Sequence, residues 1–326
     1  MGKEFCAGID VGGTKISAAL FSPDGGMTCR KKVPLERAGG DDAARQLAET
    51  IGRLEAAAQA EGNFVRAVGV CVPGVVYQRT GLVWAPNIPG WDHFPLTQRI
   101  SKHAGLPLVV DSDRAAYVLG EQWRGAARGV KDVVFLAVGT GIGAGIISGG
   151  RLCRGSEDIA GAVGWFGLNP GFKKEYAAIG CFEAEASGNS VGRKARERVP
   201  SAPDSVLLRR AGGRAEDITA ETVVASAKDK DPLAVRIIEE TVLYLAMGLA
   251  NIVSLLNPDM VVLGGGLFQA GEFLLEPVKR EFVRWAQPLA AQSVRVELSQ
   301  LGEDAGLYGA GRLAWDSLKG GSSCPV

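Results

Sequence analysis

Residues 5–21, FCAGIDVGGTKISAALF, are two apolar runs of strand length joined by Gly12-Gly13, and residues 132–148, DVVFLAVGTGIGAGIIS, repeat the arrangement with a Gly/Thr turn. Both turns carry the chemistry of a hairpin. Each hairpin opens an α/β segment of similar size, so the repeat predicts two duplicated α/β domains facing a cleft that holds phosphate. Backbone N–H groups beside Gly12, Gly13, Gly139 and Gly141 lack a shielding Cβ and can approach phosphate oxygens closely. Thr14 and Thr140 add hydroxyl donors. Lys15 reads equally as a counter-charge for phosphate or as a solvated strand residue.

Outward from the first hairpin, Asp41 and Asp42 begin a helix in which Ala44, Leu47, Ile51, Leu54 and Ala58 recur at three- and four-residue steps to about Glu61. Residues 65–72 form a buried strand ending at Pro73-Gly74, and Leu108–Val110 another. After the second hairpin, Asp231 is a good N-cap and Pro232 a good first residue for a helix to 256. A strand over Asp259–Leu263 then meets Gly264-Gly265-Gly266. A helix over about 270–286, a strand over Val294–Leu298 and a last helix from near Asp304 complete the pattern, with a disordered tail expected from Gly320 to Val326.

The 326 residues are 46% hydrophobic and 22% charged, the composition of a globular chain of about two domains. Lys+Arg and Asp+Glu are 36 each, so no net field favours nucleic acid or an anionic membrane. The longest uncharged run, Thr241–Pro258, carries Thr, Asn, Ser and a helix-ending Pro and reads as a buried helix. With no apolar secretory leader at Met1–Phe5, a cytoplasmic location is expected. Six scattered cysteines, Cys6, Cys29, Cys71, Cys153, Cys181 and Cys324, form no CxxC pair and read as free thiols. The two histidines, His93 and His103, fall in loop and helix-surface positions, which disfavours Cys–His catalysis.

Spacing removes two nucleotide-binding motifs. Gly8–Lys15 ends in G-T-K where a P-loop requires GK[ST], and it lies in a hairpin rather than at a strand-to-helix junction. The run Gly139, Gly141, Gly143, Gly145 is not G-x-G-x-x-G and is not followed by a helix.

In order along nearly the whole chain, Asp10-Val-Gly-Gly-Thr-Lys15, Val138-Gly-Thr-Gly-Ile-Gly143 and Leu263-Gly-Gly-Gly266 resemble the phosphate and nucleotide motifs of ROK (repressor, open reading frame, kinase) sugar kinases. Ala85-Pro-Asn-Ile-Pro-Gly-Trp91 resembles the family's sugar-side loop, Asp111-Ser-Asp113 its catalytic turn, Gly180-Cys-Phe-Glu183 a further sugar contact and Leu301-Gly-Glu-Asp-Ala-Gly-Leu307 its final helix entry. The resemblance implies an α/β, actin-like ATPase (ribonuclease H-like) fold: two similar domains around a central cleft, drawn here as residues 1–113 plus 304–326 and residues 114–303. It implies ATP and Mg²⁺ as cofactors, a sugar as partner, and a homodimer. Family repressors carry an N-terminal helix-turn-helix, and this chain starts about four residues before its first strand, which disfavours a DNA-binding role.

Phosphoryl transfer needs a base at the acceptor hydroxyl, charge relief for the phosphates and donors around the γ-phosphoryl group. The resemblance makes Asp113 the base; locally, it reads equally as a helix N-cap before Ala115–Gln122. Asp10 reads as a hairpin cap or, by resemblance, as a residue near Mg²⁺ acting through water. Gly264, Gly265 and Gly266 join the hairpin turns as nucleotide contacts, while Gly74, Asn87, Ser112, Trp165 and Glu183 occupy sugar-side positions.

Departures from the family concentrate at the sugar. Ser112 stands for the usual Asn before the catalytic Asp, and Gly161-Ala-Val-Gly-Trp165 for Gly-Glu-Ile-Gly-His, so Ala162 and Trp165 replace a sugar-binding carboxylate and a sugar- and zinc-binding histidine. The zinc motif C-x-C-G-x-x-G-C has its register at Lys174, Tyr176, Ala177, Gly180 and Cys181 and keeps only the last two, so no structural zinc is expected. Trp165 reads as a stacking platform for a sugar or as filler beneath the loop, with Phe166 beside it. Glu157 and Asp158 read as substitute acceptors or, more simply, as a solvated pair. A kinase for a hexose or related polyol leads; the alternative is a non-catalytic sugar- or nucleotide-binding regulatory protein of the same fold.

Overall fold

The computed structural model describes residues 2–35, 40–101 and 105–319. His103, Cys324 and the tail from Gly320 lie outside the described residues. Two compact units are present: residues 1–131, 145–160 and 300–326 form the first, and residues 132–144 and 161–299 the second.

In chain order the elements begin with strands β1 (Glu4–Val11), β2 (Lys15–Phe21) and β3 (Met27–Pro34), helix α1 (Gly40–Ala60), and strands β4 (Phe64–Val72), β5 (Val75–Tyr77) and β6 (Leu82–Trp84). Helix α2 (Leu96–Ser101), β7 (Leu108–Ser112), α3 (Asp113–Arg124), β8 (Val133–Val138), β9 (Ile142–Ser148) and β10 (Arg151–Leu152) follow. A helical stretch holds α4 (Tyr176–Ile179), α5 (Cys181–Ala186), α6 (Gly188–Arg198), α7 (Leu207–Arg210), α8 (Ala220–Lys228) and α9 (Pro232–Leu256). The chain closes with β11 (Met260–Gly264), α10 (Glu272–Phe282), α11 (Pro288–Ser293), β12 (Arg295–Leu298) and α12 (Ala305–Ser317).

Both hairpins form where the glycine turns place them. One sheet has the order β3-β2-β1-β4-β7 and the other β10-β9-β8-β11-β12. In the first, β1 pairs antiparallel with β2 and parallel with β4, which pairs parallel with β7. In the second, β8, β11 and β12 run parallel and β9 pairs antiparallel with β10. The sheets share one plan, antiparallel strands toward one edge and parallel strands toward the other, as the sequence repeat predicts.

The first unit's core explains the α1 periodicity: Leu47, Ile51, Leu54 and Ala58 are buried with Ile9, Val70 and Trp91 in one cluster. The Trp91 indole N–H also donates to the Gly40 carbonyl (3.1 Å), tying the Ala85–Trp91 loop to the start of α1. Helices α3 and α12 meet through glycines on both sides. A Cβ on Gly309 would sit 1.8 Å from the Ala116 carbonyl, and one on Gly120 2.2 Å from that of Ala305. This packing places α3 in the first unit, whereas the division drawn from sequence ends that domain at residue 113.

In the second unit, α9 starts as its residues dictate: the Asp231 carboxylate accepts the Ala234 N–H (2.9 Å) and Pro232 leads the helix. Asn257, in the left-handed region, ends it. The helix expected over 270–286 is shorter, because Gly271 at φ +65° separates a 3-10 turn at Gly266–Ala270 from α10. Strand β3, the β5–β6 hairpin and helices α4 to α8 were not read from the sequence; most are short and lack a long periodic face.

Candidate active site

In the first unit the β1–β2 turn is closed by the Gly12 N–H donating to the Lys15 carbonyl (2.8 Å), and Leu35 N–H donates to Thr14 C=O (2.9 Å). Neither Gly12 nor Gly13 has positive φ, and a Cβ on Gly13 would meet only Asn87 Cβ, at 3.7 Å. Asn87 therefore stands beside the turn, exposed, at the tip of the loop that Trp91 anchors. Lys15 makes a surface ion pair with Glu303 (3.3 Å), which Lys32 also contacts (2.9 Å). Pairs this exposed contribute little to stability, so Lys15 can exchange partners at small cost.

Asp113 opens α3, but the cap is Ser112: its Oγ accepts the Ala115 N–H at 3.2 Å. The hydroxyl at the position expected to meet sugar is thus used by the helix. Relieved of capping, Asp113 receives the Arg114 N–H on Oδ1 (2.8 Å) and the Tyr117 hydroxyl on Oδ2 (3.4 Å). Asp10 Oδ1 accepts from the Cys71 thiol (3.2 Å), and only the absence of a Cβ on Gly306 leaves room beside Oδ2, where one would sit at 2.8 Å. Burial pushes both carboxyls up to about 6, with a further push at Asp113 from the Asp10 charge and at Asp10 from the Asp304 charge. Burial also raises Asp111, against the pull of Arg154, whose Nη2 and Nε lie 2.5 and 3.1 Å from Oδ2.

Gly74 turns the chain so tightly that a Cβ would fall 2.0 Å from the Trp84 carbonyl, an architectural reason for glycine at a position expected to face sugar. Asp158 accepts the Gln78 N–H (2.9 Å) and serves the local fold. Glu157 makes a solvated pair with Arg79 (3.6 Å).

The glycines of the second unit differ in their surroundings. Gly265 has φ +90° and a Cβ there would clash with the Val138 carbonyl (2.5 Å); Gly264 packs on the Phe135 ring; Gly141 abuts the Glu183 carboxylate. Around Gly139 a Cβ would meet only the Gly266 N, at 3.7 Å, and around Gly266 nothing within 4 Å. The fold explains the first three glycines, whereas the last two keep open space that a phosphate can use. Thr140 joins Gly139 and Gly141, and Gly139 C=O accepts the Gly188 N–H at the start of α6 (2.8 Å).

Glu183 projects from α5, with Oε2 accepting the Ile142 N–H (2.7 Å); burial raises its carboxyl. Trp165 is 57% exposed on a 3-10 turn, so it does not fill the space beneath the loop; Phe166 stacks parallel to Phe182 (6.5 Å). What fixes the segment is Glu185. Buried in α5, it takes the Tyr176 hydroxyl and the ammonium groups of Lys173 (2.5 Å) and Lys194 (3.0 Å), while Asn169 donates to the hydroxyls of Tyr176 (3.0 Å) and Tyr244 (3.3 Å). Burial drives the Glu185 carboxyl up, but the bonds from Lys173, Tyr176 and Lys194 outweigh it and hold the group at about 2. Tyr176 occupies one of the zinc-ligand registers; the partner it meets, Glu185, was not singled out from sequence.

Cys71, Tyr117, Arg154 and Glu185 were all missed. Tyr117 carried a usable signal, since it lies four residues beyond Asp113 on a helix and so shares its face.

The ROK family model matches residues 6–317. A glucokinase from Thermotoga maritima is 35% identical over 318 residues, 96% of this chain and 98% of its own length. The ROK family glucokinase from Streptomyces griseus, solved in complex with glucose and AMPPNP, is 34% identical over 96% of this chain and 99% of its own, with a TM-score of 0.79. The ROK hexokinase from Thermus thermophilus is 31% identical over 97% and 100%, with a TM-score of 0.81.

Proposed function

The chain belongs to the ROK family, and from that premise we infer that it is an ATP-dependent sugar kinase, transferring the γ-phosphoryl group of ATP to a hydroxyl of a hexose or related sugar or polyol. The observation that carries the chemistry is Asp113: a carboxylate at the head of α3, free of capping duty and raised to about 6 by burial. A base with a pKa near the working pH is mostly ionised and still basic enough to take a proton as the nucleophile forms. In the proposed reaction the sugar hydroxyl loses its proton to Asp113, its oxygen bonds to the γ-phosphorus, and the bond to the bridging oxygen breaks, releasing ADP.

Gly13, Gly139 and Gly266 leave room for phosphate, Thr14 and Thr140 stand beside them, and Gly12 closes the first turn through its N–H, with Lys15 able to leave Glu303 for phosphate. Asp10 suits Mg²⁺: it is a hard oxygen donor with room kept beside it by Gly306, and it would hold the ion through water. When bound, that ion relieves phosphate charge. Glu183 and Asn87 remain on the sugar side, while Ala162, Trp165 and the committed Ser112 hydroxyl predict a preference altered from that of the relatives. We further propose a cytoplasmic homodimer, where ATP is supplied; among the described residues no helix is long and apolar enough to cross a membrane.

The test is a coupled ADP-release assay with Mg-ATP across hexoses, amino sugars, anhydro sugars and polyols, with Asp113→Asn as control. Turnover of one compound, abolished by Asp113→Asn with ATP binding retained, is expected. Its kcat/KM should fall on the acid side of about pH 6, where Asp113 takes up a proton. Silence across the panel with ATP still bound would favour a regulatory protein.

A further inference from the structure

One group beside Asp113 has no part in the reaction as described. Tyr117 follows Asp113 by one helical turn on α3, and its hydroxyl donates to Asp113 Oδ2 at 3.4 Å. The other oxygen is fixed by the Arg114 N–H at 2.8 Å. The phenol cannot swing away easily, because its ring lies against the first turn of α12, where a Cβ on Gly306 would come within 3.1 Å of Cε1. Burial, with the negative charges of Asp113 and Asp10 nearby, pushes the Tyr117 hydroxyl well above its usual range, so it keeps its proton throughout the neutral range. A Phe would fill this space equally well and carry no polar atom to satisfy. What the hydroxyl adds at this carboxylate is a hydrogen bond to Asp113 Oδ2.

We propose that Tyr117 is a positioning residue for phosphoryl transfer: its hydroxyl holds Asp113 Oδ2 while the helix backbone holds Oδ1, so that the carboxylate plane is fixed before substrate arrives. The proposal rests on Asp113 being the base. Two-point restraint matters because a displacement of about 1 Å at a reacting group is enough to cost about 10²-fold in rate, and a carboxylate held by one oxygen rotates about χ2. The bond is long for O–H···O, as catalytic hydrogen bonds often are before the substrate complex forms.

The experiment compares wild type, Tyr117→Phe and Asp113→Asn on the sugar found by the panel, with rates expressed per ATP-binding site so that an unfolded fraction cannot imitate a loss. Tyr117→Phe is expected to lower kcat about tenfold, a part of the roughly 10²–10⁴-fold that a general base contributes, with KM for both substrates within about twofold of wild type and an unchanged melting temperature. An unchanged kcat in Tyr117→Phe, alongside an inactive Asp113→Asn, would overturn the role of Tyr117 and leave the base in place. A loss seen as raised KM, or one tracking a lowered melting temperature, would equally overturn it, since that is packing. Full turnover by Asp113→Asn would remove the base and this inference with it.

Discussion

The glycines of the nucleotide motifs look alike in sequence and differ in what surrounds them. At Gly265 a side chain meets both a positive φ and the Val138 carbonyl, so Gly265→Ala should destabilise the fold, by about 1–3 kcal/mol for the strained backbone alone. Gly139→Ala meets only the Gly266 N, at an unstrained 3.7 Å, so it should leave the melting temperature unchanged and raise KM for ATP. Thermal melts beside ATP titrations of the two variants check this; equal melting temperatures would refute the division. Asp10 and Asp113 also differ from surface acids. With folded values near 6, above those of an unfolded chain, both favour the folded state most at acid pH and lose that contribution as pH rises through about 6. Asp113→Asn should therefore be not only inactive but a few degrees more heat-stable at pH 8 than wild type.

At the scale of elements, α5 joins two duties: Glu183 faces the Ile142 end of β9 and Glu185 faces inward to Lys194. A charge pair buried this deeply is costly to break on one side, because the surviving ammonium is left without its partner. Glu185→Gln should cost about 3–5 kcal/mol in a urea melt, with amide exchange rising first over residues 168–186. Glu185→Leu combined with Lys194→Met should recover much of that, since no charge is stranded. Because Glu185 is held near 2, the contribution persists at neutral pH and is lost only as pH falls through that value. A loss below about 1 kcal/mol in Glu185→Gln would show that the segment is held by its apolar contacts instead.

For the whole molecule, the repeated sheet plan accounts for two glycine turns, one per unit, and the exposed apolar surface bears on assembly. Leu255 and Leu289 are 76% and 72% exposed, and the Gln287 N–H bonds to Ser254 Oγ (3.0 Å), bringing the end of α9 and the start of α11 side by side. A surface of that kind suits a second copy of the chain. Sedimentation should give twice the chain mass for wild type and the single-chain mass for Leu289→Asp; a monomeric wild type would exclude the homodimer.

The hairpin glycines, the α1 periodicity and the Asp231-Pro232 start of α9 could be read directly because each is a local rule: turn residues, a 3.6-residue repeat and a capping carboxylate act within one turn or one helix. The order of family motifs likewise drew attention to Asp10 and Asp113, and to the zinc motif's missing residues, without coordinates. Which of Ser112 and Asp113 caps α3, which glycines are forced by neighbours and which are open, how far burial raises two acids, and that Glu185, Lys194 and Tyr176 meet were settled only in the folded chain. Those properties depend on desolvation and on contacts between residues far apart in sequence, such as Asp10 with Cys71 and Gly306, and neither is written into local spacing.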